Sequence, residues 1–82
     1  MNIYKVSQSD NTDYDSFDSF IAAAESEEEA RDISPRGGLV DWDGNIGKWE
    51  WTTKRENVEV WFVGVAKEGM EKGVILASFN AG

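Results

Sequence analysis

The chain has 82 residues, no cysteine and no histidine, and a net charge of −8. One domain is the expected count, 1–82, with just enough length to bury a compact core. Without cysteine there is no disulfide, thiolate metal site or cysteine nucleophile; without histidine the commonest general base and zinc ligand are gone.

The first predicted element is a strand over 3–7, a short β-branched and aromatic run. Residues 8–15 are Ser, Asn, Thr and Asp in close succession, a loop composition. The stretch 16–24 reads two ways. Phe17, Phe20, Ile21 and Ala24 recur at helical spacing, yet Phe and Ile favour strands. A better helix start follows. Ser26 is an N-cap, Glu29 completes a capping box, and Glu27 and Glu28 sit where the helix dipole favours acids. The reading adopted is a strand over 16–24 and a short helix over 26–33. Its rival is one helix over 16–33.

Pro35 stops the helix and Gly37-Gly38 loosens the chain. Asp43-Gly44 marks a turn, and 46–53 reads as a third strand with Trp49 and Trp51 on one face. The clearest strand is 57–66. Val58, Val60 and Phe62 point one way and Trp61, Val63 and Val65 the other, which predicts a central place in the sheet. A glycine-bearing connection leads to a fifth strand over 74–79. The expected fold is α+β, ββαβββ: a small, mainly antiparallel sheet of about five strands. One short helix packs on one face through Ala30 and Ile33, since eight helical residues do not hold themselves in water.

Charge placement narrows function. Residues 1–33 carry −7, residues 34–56 balance, and residues 57–82 carry −1. Such a surface repels phosphate, so direct nucleic-acid binding is disfavoured and a basic partner favoured. No apolar run is long enough to cross a bilayer and no leader pattern opens the chain, so a cytoplasmic address is expected.

Several groups invite a chemical reading. Asn11, Asp13 and Asp15 alternate as a calcium loop begins, but Ser16 and Ala22 stand where its glycine and bidentate glutamate belong. Asp41, Asp43 and Asn45 fail similarly, with Gly44 one place early. No metal or cofactor is expected. Asp13, Asp15, Asp18, Glu27 and Glu28 are the candidate docking carboxylates. Trp42, between two aspartates, is the expected exposed anchor, while Trp51 and Trp61 are expected in the core. Arg36, Lys54 and Arg55, with Trp49 to stack a base, form the alternative site, a phosphate-holding patch.

The residues also carry a resemblance. The opening Ile3-Tyr4-Lys5-Val6-Ser7-Gln8, the segment Asp13-Tyr14-Asp15-Ser16-Phe17-Asp18-Ser19, the run Glu28-Glu29-Ala30-Arg31-Asp32-Ile33-Ser34-Pro35 and the close Gly73-Val74-Ile75-Leu76-Ala77-Ser78-Phe79-Asn80-Ala81-Gly82 resemble a family of small phage and prophage proteins. Family members often carry His where this chain has Ser34. The resemblance implies phage origin, a strand over 16–24 and, by analogy with small acidic phage proteins, inhibition of host immunity. The function expected is therefore non-enzymatic: an inhibitor of a host macromolecule with a basic surface, such as a CRISPR-type ribonucleoprotein. The alternative is a homo-oligomer that sequesters a nucleotide immune signal.

Overall fold

The computed structural model describes residues 1–12, 15–44 and 50–80. Strands β1 (Asn2–Ser7) and β2 (Ser16–Ala24) precede helix α1 (Glu27–Arg31), and a 3₁₀ turn, Arg55–Asn57, leads into β3 (Glu59–Val65) and then β4 (Gly73–Asn80). The four strands form one antiparallel sheet in the order β3-β1-β2-β4.

The stretch 16–24 is a strand throughout, and a β-bulge explains why its spacing looked helical. The β2–β4 register skips Asp18. That extra residue returns Phe17 to the face of Phe20, three positions on, where both are buried in one cluster. Phe20, Ala22 and Ala24 alternate onto the same face, opposite Val6, Tyr4 and Asn2 of β1.

Helix α1 starts as its caps dictate. The Ser26 backbone is extended and its Oγ accepts from the Glu29 N–H at 3.2 Å. Glu29 Oε1 accepts in return from the Glu25 N–H at 2.8 Å, one residue further back than a standard capping box. The helix ends at Arg31, not 33. Asp32 caps it, and Ile33 instead bridges to Leu39 across a turn. Gly37 and Gly38 in that turn both have positive φ, a conformation that favours glycine. Ala30 and Ile33 are buried and dock the helix, as expected.

Two expectations about the second half are corrected. Among the described residues four strands are present where the pattern predicts about five. Residues 46–49 of the expected third strand lie outside the described residues, and 50–53 are turn and irregular chain. Local bonds replace a ladder there. The Glu50 carbonyl accepts from the Phe17 N–H at 2.7 Å, and Thr52 Oγ1 donates to Asp10 Oδ2 at 2.8 Å. Trp51, 2% exposed, packs against Phe20 with ring centroids 5.3 Å apart. Its burial in the core is as predicted.

Strand β3 is not central but an edge. Its register against β1 shifts between Phe62 and Gly64, leaving Val63 unmatched. Trp61 pairs with Lys5 on the outer face, while Val65 pairs with Asn2 and so joins Val60 and Phe62 on the helix face. Trp61 is 60% exposed and Phe62 62%, so Trp61 is not a core residue. Apolar residues on both sides of this strand therefore do not mean two covered faces; the strand order makes it an edge.

Candidate interaction surface

The carboxylates of α1 are held in an ion-pair network built from distant segments. Arg55, on the 3₁₀ turn, donates from Nε to Asp32 Oδ1 at 2.6 Å and from Nη2 to Glu28 Oε2 at 2.9 Å. Trp42 Nε1 donates to the same Asp32 oxygen at 2.9 Å. These donors hold the Asp32 carboxyl below its ordinary value, Arg55 first, against an opposing push from partial burial, with Trp42 adding to the lowering. The carboxylates in turn raise the Arg55 guanidinium. Glu29 is lowered too, by the Glu25 N–H and then by Lys72, whose Nζ lies 3.0 Å from Oε2. Glu27 pairs with Arg31 one turn on, at 3.5 Å.

Beside this network lies a cleft of about 570 Å³, within the size range of natural binding sites. Its lining includes Glu28, Glu29, Asp32 and Lys72 with the apolar Ile33 and Leu39. The helix supplies the acids, the glycine turn supplies Leu39, and the start of β4 closes one side. Leu39 is 74% exposed.

The expected docking carboxylates do not form one cluster. Asp15 and Asp18, both exposed, lie at the start of β2, whereas Glu27 and Glu28 follow its end. From Asp18 to the end of the strand run six residues, 19–24, which span roughly 20 Å at ~3.3 Å per residue. Asp13 lies outside the described residues. Trp42 is half-buried and bonded to Asp32, so it supports the acidic network rather than standing out as an anchor.

The alternative phosphate patch is likewise divided. Arg36 is bidentate on Glu50, at 2.6 and 2.8 Å, and its guanidinium sits 5.4 Å from the Phe17 ring centre. Arg55 is engaged by Asp32 and Glu28. Lys54 is exposed, and Trp49 lies outside the described residues. Among the described residues no group of three carboxylates converges as metal ligands, and no helix is long and apolar enough to cross a membrane.

Sequence reasoning missed Leu39 and the exposed side of β3. Leu39 follows two glycines and belongs to no periodic run, so nothing marked it. Compared with known proteins, the chain matches no family model, no curated protein and no solved structure.

Proposed function

We propose that this chain is a non-enzymatic, phage-type protein that binds and inhibits a host macromolecule by seating its acid-lined cleft on a Lys/Arg-rich surface. The observation that carries the reading is the cleft itself, whose lining sets Glu28, Glu29 and Asp32, with Lys72, beside Ile33 and the exposed Leu39. That composition suits a long basic side chain. Its methylene stem lies on the leucine and isoleucine while its charged head meets Glu28, whose side chain stays largely exposed beside Arg55. Exposed Glu25 and Glu27 extend the negative field at the helix start and steer approach. A CRISPR-type effector in the host cytoplasm, with its basic nucleic-acid channel, is the target class most compatible with this charge and with the phage resemblance.

The test uses a photo-crosslinking amino acid at position 39, with position 18 as the comparator, in the full chain expressed in host cells. The expected product joins position 39 to a Lys/Arg-rich peptide of one partner. Charge reversal at Glu25 and Glu27 spares the Glu28–Arg55 pair. It should slow association with that partner about tenfold at low salt and lose its effect near ~0.5 M salt. Affinity indifferent to salt, or capture from position 18 but not 39, refutes the reading.

A further inference from the structure

Strand β3 has one edge against β1 and the other facing away from the sheet. Among the described residues no strand pairs with it. From Val60 to Ala66 it holds no charge and no proline, the usual devices that blunt an edge. Its one irregularity is the bulge at Val63, near the middle of the strand.

That bulge makes the edge self-complementary. On its N-terminal side Val60 faces the helix layer and Trp61 the outer face; on its C-terminal side Gly64 faces outward and Val65 inward, as their partners Val6, Lys5, Ile3 and Asn2 show. In a regular strand, positions 61 and 64 would lie on opposite faces; the extra residue puts them on the same one. A two-fold axis through the bulge, perpendicular to the sheet, therefore sets Trp61 across from Gly64 of a second copy, and Val60 across from its Val65. Side chains match face to face at both pairs. The Gly64 position is open, with nothing within 4 Å of where a Cβ would stand, so an indole can lie over it. Aromatic cover of an edge glycine and a valine–valine cross-strand pair are both favourable. The charges that bracket the run are Glu59 at one end and Lys67 at the other; in this register Glu59 falls across from Ala66, one residue from Lys67, so unlike charges lie near each other at both ends.

We infer that a second copy of this chain adds to β3, joining two four-stranded sheets into one of eight strands. Trp61 and Phe62 each leave about three-fifths of their surface open. At ~150–250 Å² per aromatic, with the exposed valines and strand backbone added, the interface reaches roughly 500 Å² per copy, near the ~1,000 Å² total that a specific contact needs. The perpendicular axis places both α1 helices on one side, so the dimer presents its acidic clefts in pairs.

Sedimentation of the full chain across a wide concentration range tests this. A monomer–dimer equilibrium is expected, reaching twice the 9.2 kDa of one chain. Added salt should strengthen it, because it screens the repulsion between two chains of −8. That is opposite in sign to the salt effect expected at the cleft, so failure of either idea leaves the other standing. Trp61→Lys and Val65→Lys should each weaken the dimer more than about tenfold, whereas Leu76→Lys, on the other edge, should leave it unchanged. Because the chain has no cysteine, a mixture of Trp61→Cys and Gly64→Cys single variants reads the register directly. Their heterodimer should form a disulfide under mild oxidation well ahead of either homodimer. A monomer at every concentration and salt overturns the inference. So does a dimer that Leu76→Lys abolishes, or one in which the mixed disulfide fails to lead.

Discussion

Asp32 ties the molecule together at the scale of single residues. It caps α1, receives Arg55 from the 3₁₀ turn and accepts from Trp42, so three segments meet at one carboxylate. Because its folded value is depressed below the ordinary 3.8, the native state favours the ionised form. That stabilisation is present above the unfolded value and is lost as pH falls through the folded one. Glu29, lowered from 4.5, acts in the same direction. Thermal midpoints should therefore hold from neutral pH down to about 5 and fall steeply below about 4. Asp32→Asn should melt lower than the parent at neutral pH, with the gap closing as the parent protonates. A gap that stays constant to the lowest pH at which the chain folds would assign Asp32 no linkage. The adjacent Trp42 shows how context reverses a local expectation. Two flanking aspartates suggested solvent, yet the indole turns inward because an ionised acceptor waits there.

At the scale of elements, the β2 bulge has the clearest consequence. Deleting Asp18 removes the extra residue and restores strict alternation, which swings Phe17 to the outer face. Exposing that ring should cost about 1.5–3 kcal/mol, read as a lower denaturant midpoint with a little-changed slope. If the midpoint does not move, Phe17 is not held inside by the bulge. The same element shows what was legible. Ser26 with Glu29 marked the helix start, Ala30 and Ile33 marked its buried side, and β-branched runs marked β1, β3 and β4, because each signal is local. Two features were not local. Irregular residues 50–53 looked like a strand because Trp51 is apolar for the sake of the core, not of a ladder. Strand β3 looked central because its apolar residues were read as evidence of cover on both sides. Only the pairing partners, set by tertiary contact, reveal an edge. The acids were readable as a charge but not as a surface, since β2 carries half of them to the far end of the sheet.

For the whole molecule, the strand order β3-β1-β2-β4 puts the hairpin formed by the first two strands at the centre of the sheet. Both flanking strands come from the second half of the chain. Lys5 meets Trp61 and Ile21 meets Leu76, each across about 55 residues, whereas Val6 meets Phe20 across a short loop. Closing long loops is slow, so the central hairpin is expected to organise the folding nucleus and the outer strands to condense onto it later. Rates of folding and unfolding against denaturant separate the two stages. Val6→Ala should slow folding, while Ala77→Gly on β4 should chiefly speed unfolding; equal effects of both on the folding limb would contradict this order. Until its flanks arrive, the nascent hairpin has two unsatisfied sides, and partial structures of that kind are the ones that chaperones bind and neighbouring chains capture. Production of this protein should then depend more on how quickly its second half arrives than on the stability of the finished sheet.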